Sequence, residues 1–242
     1  MIVFTKECNY IDIFNVFYTL ETLLMLFDGQ FYPVTRASKN DIDISNSWKK
    51  RTLPSYYSTD FMIGSDSIII DYNKVLNEQV LKKWYALNEE LDLIHKMVLY
   101  CLSNVQMPKD MQCAFMIESF LGICEIVNKK TGLQLPSVSR NQSKFKYYFL
   151  MVSEQYGADI FKEEFSINKD KFATILVDSR NRIAHTKSKQ NRIYLDGGES
   201  VMYLLKLSLL YRVILFNLLG IPQKIYNDKL TMYVKKLTTT ML

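Results

Sequence analysis

The run INKDKFATILVDSRNRIAH, residues 167–185, decides how the chain is read. Phe172, Ile175, Leu176, Ser179 and Ile183 recur at i, i+3, i+4, i+7 and i+11, the spacing of one buried helical stripe. At about 100° per residue, Asp178, Asn181 and His185 gather within an arc of roughly 60° on the opposite face, and Asn181 and His185 stand one turn apart. Arg180 falls about 80° from the centre of the stripe. A long side chain there can run along apolar surface and bring its head group to a cleft. The periodicity therefore predicts a helix over 167–184 whose end projects a histidine, a carboxamide and two guanidinium groups off the core.

Outward from this run, the same period recurs. Helices are expected over 10–27, 73–102, 109–129, 144–156, 201–221 and 225–237, with Asn73 as an N-cap and stops at Gly29, Pro108, Gly132 and Gly220. Only 8 glycines and 5 prolines in 242 residues disfavour a turn-rich β fold. In the first helix Ile13, Phe14, Phe17, Leu20, Leu24 and Phe27 are expected to face inward; in the helix over 109–129, Phe115, Ile117, Phe120, Leu121, Cys124 and Val127. Short strands are expected at 31–34 and 67–70, separated by a polar connection over 35–58 that carries Trp48-Lys49-Lys50-Arg51. The tryptophan there reads as an anchor rather than a stacking platform. Together these features give a mainly α chain: an N-terminal extension over 1–72, a helix plus short strands, and a helical domain over 73–242.

The segment 201–221 is apolar enough to suggest a membrane span. Lys206, Arg212, Tyr203, Ser208, Tyr211 and Asn217 interrupt it with groups that are costly in lipid, so a central bundle helix is expected and no membrane partner. The four cysteines form no CxxC pair and have no histidine at metal spacing. With no basic, apolar and small-residue leader at the start, a reduced cytoplasmic chain is the expectation. The net charge of +5 is concentrated: residues 140–192 hold eleven Lys and Arg against six Asp and Glu. That surplus equals the whole chain's excess, and it suits a polyanion.

The residue types at 180–185 fit phosphodiester chemistry. Attack of a ribose 2′-hydroxyl on the adjacent phosphate needs a proton removed, a leaving oxygen protonated and phosphoryl charge stabilised. Histidine titrates near neutrality and serves the first two needs. Arginine stays charged and offers a fork for the third. One histidine cannot easily be acid and base together, so a twofold dimer that supplies a second copy is the expected assembly. The other histidine, His95, lies beside the apolar stripe of Leu91, Ile94, Val98 and Leu102 and reads as a partly buried structural residue. Glu118 and Glu125, seven residues apart, lack a third metal ligand. Glu118 is instead a candidate partner for an arginine of the site.

Arg180-Asn181 followed by His185 resembles the Arg-x4-6-His signature of the HEPN superfamily. The order of Trp84-Tyr85 on a long helix, then 114–120 (AFMIESF), then the motif resembles the ApeA-type HEPN proteins of bacterial abortive infection, over roughly 74–220. The resemblance implies an up-and-down helical bundle, commonly dimeric, and a metal-independent, cofactor-free endoribonuclease of defence or toxin type that leaves a cyclic phosphate and a 5′-hydroxyl. In that light His185 is the candidate acid/base, Arg180 the phosphate stabiliser and Asn181 the orienter of the histidine or the phosphate. Arg182, Lys187, Lys189 and Lys144 are the candidate RNA-binding cations. The alternative is a catalytically inactive HEPN module that binds RNA, a nucleotide or a partner protein, and a regulatory partner protein fits either case. HEPN motifs often carry glycine after the histidine; here Thr186 takes that place.

Overall fold

Helix α1, Tyr10–Asp28, opens on a reciprocal cap: Asn9 Oδ1 accepts from the Asp12 N–H, and Asp12 Oδ2 accepts from the Asn9 N–H. It closes on Gly29, whose left-handed backbone (φ 69°) directs its N–H to the Met25 carbonyl. The computed structural model describes residues 6–29, 38–39, 42–43, 68–102, 107–139, 143–185 and 193–240. The segment 31–34, the Trp48–Arg51 tract, Lys187 and Lys189 lie outside the described residues. The bundle continues through α2, Glu78–Leu102, α3, Lys109–Thr131, α4, Lys144–Tyr156, α5, Lys162–Ala184, α6, Gly197–Leu219, and α7, Asn227–Thr240.

Helix α3 lies at the centre, packed against α2, α4, α5 and α6. Phe149 of α4 sits among Phe120, Phe145, Phe161 and Phe172, with ring centroids 5.5–6.1 Å apart and mostly edge-on. This aromatic cluster fixes α5 against α3 and α4. Helix α6 is long and apolar enough to cross a membrane by length and composition, yet 72% of its apolar window is buried within the bundle. Its two basic residues are satisfied inside the protein. Lys206 Nζ donates to Glu164 Oε1 at 2.6 Å, and Arg212 donates to the carbonyls of Leu26 and Phe27 at 2.8 and 2.6 Å.

Several local expectations are corrected. Asn77, not Asn73, caps α2, its Oδ1 accepting from the Val80 N–H at 3.0 Å; Asn73 belongs to a 3-10 turn, Tyr72–Lys74, capped by Asp71. The described part of 67–70 holds no strand: Ile69 and Ile70 are buried as irregular backbone leading into that turn. The described strands fall within the polar connection instead, β1 at Ser38–Lys39 and β2 at Ile42–Asp43, paired antiparallel. Phe17 and Phe115 are exposed, because α1 and α3 each turn a different arc inward than the aromatic positions alone indicate. Thr19, Thr22 and Leu23 take the inner positions of α1, the threonines satisfying their hydroxyls on backbone carbonyls one turn earlier.

The start expected at 167 marks an internal break, since α5 begins at Lys162 and leaves helical geometry at Asn168 (φ −170°, ψ 98°). Asn168 Oδ1 then accepts from the Lys171 N–H at 2.8 Å, so the residue recaps the second half of the helix. The amphipathic period of 167–184 is the signature of that second half.

Candidate functional site

Helix α5 ends at Ala184, and His185 takes the capping position with φ −109° and ψ 8°. This backbone is open to any residue, so the helix ends here without a glycine. The His185 N–H still reaches the Asn181 carbonyl at 3.1 Å, which keeps the histidine one turn beyond Asn181. Its side chain is exposed.

Arg180 is held from two sides. Its Nε donates to Glu118 Oε2 and its Nη2 to Glu118 Oε1 at 3.0 Å, a bidentate fork from α5 onto α3. Its Nη1 donates to Asn181 Oδ1 at 3.2 Å. A guanidinium has five N–H groups, so one on each terminal nitrogen is left for a phosphoryl oxygen. The half-buried pair therefore orients the arginine without using it up. Asn181 turns its carboxamide oxygen to Arg180, which leaves its NH2 group for another acceptor.

Arg182 points elsewhere: its guanidinium lies over the ring of Tyr194, 5.1 Å from the centroid. Tyr194 arrives on 193–196, which is tied back to the motif helix where Ser179 Oγ accepts from the Leu195 N–H at 2.9 Å. Asp110 Oδ1 accepts from the Gly197 N–H at 3.0 Å and fixes the start of α6 beside it. Asp110 and Tyr194 carry no sequence signal of this role, because their partners lie far away in the chain or on another element.

Lys144 is not gathered into this cluster. Its Nζ donates to Glu125 Oε1 at 2.8 Å and lies 5.0 Å from the centroid of Tyr148. Glu125 is seven residues beyond Glu118 on α3, about 10 Å along the helix axis. The two glutamates thus bind α3 to α4 and α5 at successive levels, and the charge of Lys144 is compensated where it stands.

A cavity of 10 Å³, lined by Asp110, Cys113, Ser179, Arg182, Ile183, Leu195 and Ser200, lies behind the motif. It has room for about one water molecule. A phosphate would therefore meet Arg180 and His185 on the outer surface of the helix end.

Residues 107–225 match the family model described as Apea-like HEPN. The match spans α3 to the 3-10 turn after α6, and leaves α1, the hairpin and α2 outside it. No curated protein and no solved structure matches the chain.

Proposed function

Because the chain belongs to the HEPN superfamily, with its Apea-like domain at residues 107–225, we propose that it is a metal-independent endoribonuclease of defence or toxin type acting in the cytoplasm. The observation that carries this reading is Arg180, oriented by Glu118 and Asn181 at a helix end whose next turn presents an exposed histidine. His185 takes the 2′-hydroxyl proton as that oxygen attacks the adjacent phosphorus. The bond to the 5′-oxygen breaks, a proton is returned to that oxygen, and the products are a 2′,3′-cyclic phosphate and a 5′-hydroxyl. Arg180 meets the charge that grows on the phosphoryl oxygens. Lys187 and Lys189 position the RNA backbone, while Arg182 holds Tyr194 beside the motif.

A second subunit completes the site. One exposed imidazole on an open surface lacks both a cleft and an acid to complement the base, and a twofold axis through this helix end supplies both. A catalytically silent module that binds RNA, a nucleotide or a partner protein is favoured by one fact: Glu118 compensates the charge of Arg180.

Incubation of the purified protein with RNA in excess chelator separates these readings. Cyclic-phosphate ends should form with the native chain and disappear in Arg180→Ala and His185→Ala, while RNA binding persists. Mixing the two variants should restore part of the activity if the site is shared between subunits. Cleavage unchanged in both variants removes the assignment, and binding without cleavage by the native chain establishes the silent module.

A further inference from the structure

A second cavity shares no lining residue with the one behind the motif. It has a volume of 400 Å³ and lies between α1 and α2, lined by Asn15, Tyr18 and Thr19 from the first helix and by Tyr85, Asn88, Glu89, Asp92, His95 and Lys96 from the second. That volume suits a small organic molecule. All of these residues precede the segment 107–225 that matches the family model.

Two independent features mark it as built. His95 is 2% exposed, and its Nδ1 lies 2.5 Å from the Tyr211 hydroxyl oxygen. Its Nε2 is buried with no hydrogen-bond partner among the described residues. An orphaned buried ring nitrogen is costly, and its residue lines the cavity wall. The second feature is the backbone: at Asp92, on the cavity wall, α2 leaves helical geometry (φ 12°, ψ −92°) although the helix contains neither glycine nor proline. A kink without those residues calls for a local cause, and such breaks concentrate at functional sites.

The lining selects the ligand. Burial pushes His95 down to about 3, so its imidazole is neutral. The positive charge of Lys96 is met by Asp92 at 2.5 Å, and Glu89 has no ion-pair partner among the described residues. The wall is thus neutral to negative and repels phosphate. Tyr18 and Tyr85 contribute aromatic surface from opposite helices, and the carboxamides of Asn15 and Asn88 offer both donors and acceptors. Tyr18 keeps its proton and hence its donor, since burial and then the charges of Asp92 and Glu21 push it up to about 12.

We propose that the cleft between α1 and α2 binds a phosphate-free heteroaromatic molecule of nucleoside size, its ring against Tyr18 and Tyr85 and its polar edge on the Asn15 and Asn88 carboxamides beside the His95 ring. This site is independent of the reading at His185, and its occupancy fastens α1 to the bundle. Trp84, whose ring centroid is 5.4 Å from that of His95 and whose Nε1 donates to the Thr19 carbonyl at 2.7 Å, is a built-in reporter.

The test uses the full chain carrying Trp48→Phe, so that Trp84 is the sole tryptophan, titrated with adenosine, guanosine, cytidine and uridine and with their 5′-monophosphates. At least one nucleoside should give a saturable fluorescence change below about 1 mM. It should also raise the melting temperature by about 2–4 °C at saturation. The matching monophosphate should bind at least about tenfold more weakly. Tyr85→Ala, at an exposed position that leaves the core intact, should abolish binding. Glu89→Lys should narrow the preference over the monophosphate by about fivefold or more. Absence of saturable binding by all four nucleosides, equal affinity for the monophosphates, or unchanged binding in Tyr85→Ala would each overturn the proposal.

Discussion

His95 and His185, the only histidines in the chain, occupy opposite environments. His95 sits inside the bundle between Trp84 and Tyr211, with ring centroids 5.4 and 5.8 Å away and a hydroxyl on Nδ1. His185 stands at the open end of α5 and presents its ring to solvent. Enclosure holds one imidazole in a single neutral form and makes it part of the packing. Exposure beside an oriented arginine leaves the other free to meet a substrate or a second subunit. On the proposed function, the same residue type serves stability in one region and chemistry in the other, and the difference lies in what surrounds each ring.

The largest expected effect lies at the exposed ring. His185→Ala should lower the rate of RNA cleavage by about 10³-fold, close to 4 kcal/mol, measured by single-turnover kinetics on a labelled RNA. Its unfolding free energy should change by less than about 0.5 kcal/mol. His95→Ala should invert the pattern: chemical denaturation should show a loss of about 3 kcal/mol through the cavity and the unpaired Tyr211 hydroxyl, while the folded fraction keeps its specific activity. Equal effects of the two substitutions on rate and on stability would erase the contrast.

A smaller effect is expected from the group that holds the arginine. Glu118→Gln keeps the shape of the fork but drops its charge, and cleavage should slow by about tenfold with little change in RNA affinity. Faster cleavage instead would mean that Glu118 restrains Arg180 by neutralising it rather than aiming it.

The last prediction concerns acid. His95 has its folded-state pKa pushed by burial from 6.5 down to about 3, so below pH 6.5 the unfolded chain takes up a proton that the native state refuses. The stabilisation is full above pH 6.5 and is lost as the pH falls toward 3, at a slope of roughly 1 kcal/mol per pH unit. Urea unfolding at pH 7 and pH 5 should show it, and His95→Gln should remove that part of the dependence.

Much of this contrast is legible along the chain. The stripe around His95 gives its structural role and partial burial, the motif period gives the exposed end at His185, and the polar interruptions of 201–221 give a bundle helix. The idea that Glu118 meets an arginine of the site also starts from the sequence, and the ion pair with Arg180 realises it. Other features are not legible. Asn73 and Asn77 have the same capping chemistry, and only the path of the preceding turn chooses between them. Lys144 carries the same charge as any RNA-binding lysine, and only the register of α3 against α4 places Glu125 beneath it.

Periodicity, caps and breakers act between residues within a turn or two of one another, so the sequence by itself determined the helices, their approximate ends and the grouping of Arg180, Asn181 and His185 on one terminus. Tertiary packing decided what lies across from them. Glu118 is 62 residues from Arg180, Tyr211 is 116 from His95, and the cleft over Tyr18 and Tyr85 exists only where two helices meet. Local order constrains which face of a helix is apolar; it leaves open which distant side chain will oppose the other face, and that choice sets the neutral imidazole and the aimed guanidinium.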